Sequence, residues 1–180
     1  MGEDIVSEVY PVLRLALAYR SMLQQGKPLS VEAVQAELRG KLRVAGSRND
    51  EGEGYLGIRY AVVCWLDELF IIDSPWQADW SARALEPALY QTRSRAHDFW
   101  EQSRRASSRS DRAALEAFYL CLLLGFRGEL RDNPRELAEV RKQLETQIGL
   151  RGRMRWPDEP PEQPVPGTDV PLLSARERLR

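Results

Sequence analysis

The segment YAVVCWLDELFII, from Tyr60 to Ile72, is apolar on nearly every side of the helix that its length predicts. A helix that is apolar all round belongs at the centre of a bundle rather than on its surface. We therefore expect a central helix from about Tyr55 to Ile72. Two adjacent acids, Asp67 and Glu68, interrupt the apolar run, so at least one of them must face a packed interior or a cleft.

The Asp67-Glu68 pair has two interpretations, and both require a partner for a buried carboxylate. In the functional one, the pair lines a recognition cleft or supplies a perturbed acid. In the structural one, which we favour, the acids form an ion pair or cap a helix, with Arg59 or Arg127 as the cation. A catalytic role as acid and base is a third, weaker hypothesis, because no nucleophile, metal site or cofactor loop accompanies the pair.

Outward from this segment, apolar residues recur at helical spacing, and no strand pattern is present. Several of the predicted helices have a start or stop signal at one end, whereas the two short ones over 82–90 and 96–105 have weak boundaries. The first predicted helix ends near Gly26, and Pro11 either kinks it or moves its start to about residue 10. A second helix follows Ser30, and shorter ones cover 82–90 and 96–105. The last two begin at the caps Ser110 or Asp111 and Asn133.

A second apolar run, FYLCLLLGFRGEL, ends at a glycine-rich corner. About a dozen residues are too few to cross a bilayer, so the run predicts a buried helix. Gly125 stands where a left-handed residue is expected at a helix end, and Gly128 lets the chain turn beside a packed neighbour.

Composition suits one folded domain: of 180 residues, 43% are apolar and 29% are charged. The 26 Lys and Arg residues nearly balance the 27 Asp and Glu residues, so the net charge attracts neither nucleic acid nor an acidic membrane. The acidic start MGEDIVSEVY lacks the features of a secretory signal. We expect a cytoplasmic protein.

Catalytic and metal-binding patterns are missing from the sequence. His97 is the only histidine, and Cys64 and Cys121 lie within apolar runs, where we interpret them as core residues. Phosphate-binding loops and nucleophile elbows have no match. We therefore expect no cofactor, no metal and no enzymatic activity.

The sequence changes character after Trp156, where PDEPPEQPVPGTDVP is rich in proline and has no period. Such a segment is typical of an extended spacer. We predict a helical domain over residues 1–156 and a linker over residues 157–180.

Two segments resemble signatures of the TssL/DotU family, the cytoplasmic part of an inner-membrane subunit in type VI secretion systems and their type IVB relatives. RYAVVCWLDELFI followed by SPW is similar to a helix that ends in an Asp-Glu pair before a Pro-Trp corner, and LEAFYLCLLLGFRGEL is similar to the second signature. Ala96, His97 and Asp98 stand where the family has glycines. The matching residues, expected to be mainly structural, are Tyr60, Cys64, Trp76, Trp80, Phe99, Trp100, Tyr119, Cys121, Gly125, Phe126 and Gly128.

The resemblance implies an all-α domain of about seven helices, in two small bundles arranged like a hook, with a cleft between them. Asp67, Glu68 and Arg127 are the residues we expect at this cleft, where a partner would bind. Implied partners are a TssM/IcmF-type inner-membrane subunit, a lipoprotein reached through that complex, and baseplate components. A homodimer is a further hypothesis that no feature of this sequence supports.

Family members continue into a carboxy-terminal transmembrane helix, and the arginines at 176, 178 and 180 suit the cytoplasmic flank of one. The expected function is that of a non-enzymatic scaffold at the cytoplasmic face of the bacterial inner membrane. The alternative is a soluble helical regulatory or nucleic-acid-binding module that uses the arginine-rich region 93–112, although we expect no nucleic acid.

Overall fold

A computed structural model describes residues 5–45 and 54–149. These residues form eight α-helices and no strand, which confirms the all-α prediction. The helices are α1 (Ile5–Gln24), α2 (Val31–Ala45), α3 (Gly57–Ile71), α4 (Gln77–Ala82), α5 (Leu85–Tyr90), α6 (Arg95–Ser108), α7 (Arg112–Leu123) and α8 (Pro134–Ile148), with a 3-10 turn, Gly128–Leu130, before α8. The predicted linker over 157–180 and most of the predicted loop after α2 lie outside the described residues.

Helix α3 is the centre of the fold, as its apolar sequence predicted. Of its 15 residues, only Arg59 and Leu69 are not buried. It packs against α1, α2, α4, α5, α6 and α7. Helix α8 lies further out, against α7 and the 3-10 turn.

Two helix boundaries differ from the sequence predictions. Helix α1 begins at Ile5 and continues through Pro11, so the later start was wrong. Buried Val9, Val12 and Leu13 hold this part of α1 in the core, and tertiary packing outweighs the hydrogen bond that proline removes. The single helix expected over 82–90 is instead the pair α4 and α5, because the backbone of Ala84 is extended between them (φ −51, ψ 149).

The predicted caps of α7 and α8 are present. Asp111 accepts a hydrogen bond from the Ala114 amide at 3.0 Å, so Asp111 rather than Ser110 caps α7. The Asn133 side chain accepts from the Glu136 amide at 3.3 Å, with Pro134 as the first residue of α8. Both arrangements satisfy main-chain donors that a helix start leaves without partners.

Helix α7 ends in a Schellman motif around Gly125, whose φ is +105. The Gly125 amide donates to the Leu122 carbonyl at 3.1 Å, and the Phe126 amide donates to the Cys121 carbonyl at 3.0 Å. This pair of bonds defines the motif and satisfies the last carbonyls of the helix. The corner then delivers Phe126 into the core, stacked on Phe99 with ring centroids 3.9 Å apart.

The family-signature side chains lie in the interior. Except for the two glycines, each one is at most 8% exposed, and five of the aromatic ones belong to two aromatic groups. One group stacks Trp80 with Phe70 and with Trp76, and the other packs Phe99 with Trp100, Phe118 and Phe126. Tyr60, Cys64, Tyr119 and Cys121 complete the buried set.

Gly128 and Gly40 should respond to alanine in opposite ways. At Gly128 the φ is +52, and a Cβ would lie 2.6 Å from the Ala96 carbonyl oxygen, so Gly128→Ala should destabilise the fold by about 2–4 kcal/mol. Gly40 lies inside α2, where an alanine Cβ would meet no atom within 4 Å, so Gly40→Ala should stabilise by about 0.5–1 kcal/mol. Urea unfolding of both variants measures the two changes, and a Gly128→Ala protein as stable as the parent would contradict the packing described for the corner.

Candidate functional site

Asp67 caps the start of α5 from a distant position in the chain. Its Oδ1 accepts hydrogen bonds from the Leu85 amide and from Trp80 Nε1, both at 2.8 Å. Its Oδ2 accepts from the Glu86 amide at 2.8 Å. The residue before α5, Ala84, has no side chain that could cap the helix, so Asp67 satisfies the exposed donors of its first turn.

The environment of Asp67 excludes direct contact with a partner, because the residue is 0% exposed. Burial raises the pKa of this carboxyl, and the hydrogen bonds from the main chain of Glu86 and Leu85 and from Trp80 oppose that rise. Asp67 therefore holds α5 in place from the interior, and any part that it plays in binding is indirect.

Glu68 fastens the other side of α3. Its Oε1 accepts a hydrogen bond from the Arg127 amide at 2.8 Å, and its Oε2 accepts one from the Gly128 amide at 3.0 Å. Gly128 is the first residue of the 3-10 turn. Arg131 completes the site, with its Nη2 3.0 Å from Glu68 Oε1. Adjacent residues on a helix point about 100° apart, and that divergence lets Asp67 and Glu68 reach two different elements.

Arg127 lies beside Glu68, but its main chain makes the contact. Its guanidinium Nη1 donates to the carbonyl oxygens of Leu122 at 3.3 Å and Phe126 at 3.0 Å. The prediction that Arg127 forms an ion pair with an acid of α3 is therefore wrong. Arg131 supplies the guanidinium that binds Glu68. Arg59, the other expected cation, donates to the Tyr90 hydroxyl at 3.0 Å.

A cavity of about 190 Å³, which we call the Glu68 cavity, opens beside this cluster. Arg20 and Arg131 stand on its polar side, and Leu69, Ile72 and Leu124 form its apolar side. Arg20 Nη2 donates to the Asp73 carbonyl at 2.6 Å, and its buried Nη1 has no acceptor among the described residues. The cavity therefore combines guanidinium donors with apolar surface at the junction of α1, α3 and the α7 corner.

Tyr60, Glu86 and Cys64 are further titratable groups of the described core. Tyr60 donates to Glu86 Oε1 at 3.0 Å, and burial raises the pKa of Tyr60, Glu86 and Cys64. A buried thiol with a raised pKa stays protonated and is a poor nucleophile. His97 is exposed and lies 3.1 Å from Glu129. Within 5–45 and 54–149, no three His, Cys, Asp or Glu residues are grouped so as to hold a metal ion.

The arginine-rich segment around α6 is occupied by internal contacts. Arg104 and Arg105 pair with Glu101 at 3.1 and 3.2 Å, and Arg112 pairs with Glu116 at 2.9 Å. Arginines that acids neutralise offer little to a phosphate backbone. The geometry therefore favours a solvated helix surface over a nucleic-acid interface.

These features define an all-helical protein whose polar core residues fasten one helix to another. The chain belongs to the DotU family: the family described as "Type VI secretion system protein DotU" matches residues 4–180. It is thus a type VI secretion subunit, and the helices of its described part include none long and apolar enough to cross a membrane.

A solved structure supports the fold assignment. The chain is similar to the cytoplasmic domain of TssL from Acinetobacter baumannii, with a TM-score of 0.69 and 18% sequence identity. The match covers 83% of this chain and 99% of that one. At this identity the likeness establishes the fold alone. A search of curated proteins gives no match.

Removing one oxygen acceptor from each acid should destabilise the fold, and Asp67→Asn should have the larger effect. The new amide would set N–H against main-chain N–H in a fully buried site, at a cost of about 3–5 kcal/mol. Glu68→Gln should cost about 1–3 kcal/mol, because Arg131 is partly exposed and water can solvate it. Urea unfolding followed by circular dichroism measures both, and equal or negligible losses would contradict the capping roles.

Proposed function

We propose that the protein is a non-enzymatic scaffold and docking subunit of a type VI secretion membrane complex. Its helical domain recruits a TssM/IcmF-type inner-membrane subunit and baseplate components at the cytoplasmic face of the bacterial inner membrane. The observation that carries this proposal is the family match over residues 4–180. The core described above supports it, since its buried acids serve as structural caps and burial raises the pKa of the Cys64 and Cys121 thiols.

The Glu68 cavity is the docking site that the geometry favours. Its Arg20 guanidinium suits an acidic group of a partner, since Arg131 is already paired with Glu68, and its apolar side, Leu69 with Ile72 and Leu124, suits a neighbouring aliphatic or aromatic side chain. Glu68 itself is held by Arg131 and two main-chain amides, so it shapes the cavity wall. A partner acid would approach the accessible part of the half-buried Arg20 guanidinium, because its Nη1 is buried.

Anchoring and self-association belong to the same proposal. A transmembrane helix beyond Arg180 would hold the domain at the membrane, with the proline-rich residues 157–180 as the spacer. A homodimer would double the number of docking sites and raise the apparent affinity for a partner that is itself multivalent.

Placing a charge on the apolar side of the cavity should weaken docking without unfolding the domain. Leu69 is one of the two α3 residues that are not buried, so Leu69→Lys should reduce capture of the inner-membrane or baseplate partner at least about tenfold. Leu89→Lys is the matched control, since Leu89 is 41% exposed on α5 and does not line the cavity. Interferometry with purified partner domains from the same secretion system measures capture, and thermal melts confirm folding.

Each of three results would contradict a different part of this proposal. Equal capture by both variants would remove the cavity as the docking site while leaving the scaffold role intact. Failure of the unmodified protein to capture either partner would count against the scaffold itself. Binding to nucleic acid that falls steeply with salt would instead support the regulatory alternative.

A further inference from the structure

Glu86, the second residue of α5, is a buried acid without an ion-pair partner in the described part of the chain. None of its surface is exposed. Its Oε1 accepts a hydrogen bond from the Tyr60 hydroxyl at 3.0 Å, whereas its Oε2 is buried and has no donor among the described residues. A carboxylate in this position would carry its charge with one oxygen unsatisfied, which is costly away from water.

Asp67 and Glu86 differ in the donors that face them. The Glu86 amide donates to Asp67 Oδ2, so the two acids are neighbours, and the Leu85 amide and Trp80 Nε1 donate to Asp67 Oδ1. Hydrogen-bond donors favour the charged form of an acid. The three donors at Asp67 thus stabilise a carboxylate, whereas the weaker set at Glu86 leaves the neutral acid as the less costly form. Neighbouring acids in such different environments keep different protonation states.

The titratable and charged groups around Glu86 lie on α3 and at the start of α6. They are Tyr60, Cys64 and Asp67 on α3, and Arg95 on α6. Burial is the largest influence on the pKa of Glu86 and raises it, and the charge of Asp67 acts in the same direction. The Tyr60 hydroxyl, the Arg95 main-chain amide and the Arg95 charge oppose this rise without cancelling it. The surrounding charges therefore agree with the hydrogen-bond geometry.

We propose that Glu86 is a neutral carboxylic acid in the folded domain and that the loss of its proton releases α5 from α3. Ionised Glu86 would place a second negative charge beside Asp67 in a site closed to water. Turning α5 outward hydrates that charge. The helix has only six residues, and it is bounded by an extended Ala84 and a left-handed Gln91, so it can move without disturbing α3.

The consequence is a pH-sensitive switch at one face of the domain. While α5 is docked, Leu85 is 0% exposed, whereas Leu89 of the same helix is 41% exposed. A rise in pH that ionises Glu86 releases the helix and uncovers Leu85, and a fall in pH restores the docked state. The apolar surface that α5 offers to other molecules therefore grows with pH, independently of the scaffold role proposed above.

Urea unfolding of the parent protein and of Glu86→Gln, from about pH 5 to about pH 9, tests the proton. This range lies above the ordinary pKa of a glutamic acid, about 4.3, so Glu86 is ionised in the unfolded chain throughout. A folded protein that retains this proton loses stability as the pH rises, whereas glutamine has none to lose. The unfolding equilibrium constant of the parent should therefore rise relative to that of Glu86→Gln, by up to about tenfold per pH unit, until Glu86 ionises in the folded protein.

Glu145→Gln is the matched control. Glu145 also accepts a hydrogen bond from a tyrosine, Tyr119, at 2.6 Å, but its side chain is 40% exposed and Arg141 lies 3.7 Å away. Water and Arg141 already stabilise its charge, so the unfolding constant of the parent relative to this variant should not rise over the same range.

Amide hydrogen exchange, corrected for its intrinsic dependence on pH, locates the release. The Gln91 amide closes the end of α5 by donating to the Pro87 carbonyl at 3.2 Å. In the parent, its protection should fall with pH before that of the amides of α8 does, and in Glu86→Gln this difference should disappear. Equal loss of protection in α5 and α8 of the parent would overturn the release of α5.

A ratio of unfolding constants that stays level between the parent and Glu86→Gln would overturn the neutral acid. If Glu86→Gln fails to fold, infrared spectra of the parent with isotope-labelled glutamic acid carboxyls decide the question. The band of a protonated carboxyl should persist in the folded protein above the pH at which exposed glutamic acids ionise, about 4.3. Its disappearance together with theirs would also overturn the proposal.

Discussion

Two adjacent carboxylates on one buried helix hold the first turns of two other elements. Asp67 accepts the amides that open α5, and Glu68 accepts the amides that open the 3-10 turn. Buried charge is tolerated only where hydrogen bonds satisfy it, and unpaired helix-start amides are equally costly when buried. Each carboxylate and the amides that it accepts thus remove each other's desolvation penalty, and neither group is stable in the interior without the other.

This mutual dependence fixes the positions of the elements around α3. A shift of α3 by one residue would turn Asp67 away from α5 and leave a buried carboxylate without donors. Apolar packing alone tolerates such shifts more readily, because it depends on volume and pattern rather than on atom-to-atom pairing. The Asp-Glu pair therefore contributes specificity to an interior that is otherwise aromatic and aliphatic. The Asp-Glu pair also fixes the shape of the Glu68 cavity, since Arg131 and the Gly125–Gly128 corner form part of that cavity.

The parts of the fold that depend on local pattern could be predicted from the sequence. The all-round apolar segment predicted the central helix, and the Gly125 and Asn133 signals predicted the end of α7 and the start of α8. The resemblance to the TssL/DotU family, which the family match confirms, came from two such segments. The division into α4 and α5 could not be predicted, because its cause, Asp67, lies 18 residues before Leu85. Arg131 was missed for a related reason: the 3-10 turn presents the main chain of Arg127 to Glu68 and brings the guanidinium of Arg131 to it.

Amide hydrogen exchange in Asp67→Asn and Glu68→Gln, resolved by residue, tests most directly whether the two acids hold separate elements. The account predicts that exchange accelerates more at Leu85 and Glu86 than at Arg127 and Gly128 in the first variant, beyond the increase that the loss of overall stability gives to all amides, and the reverse order in the second. Uniform acceleration across all four amides in both variants would contradict it, because that result would mean that the acids stabilise the core as a whole rather than two particular helix starts.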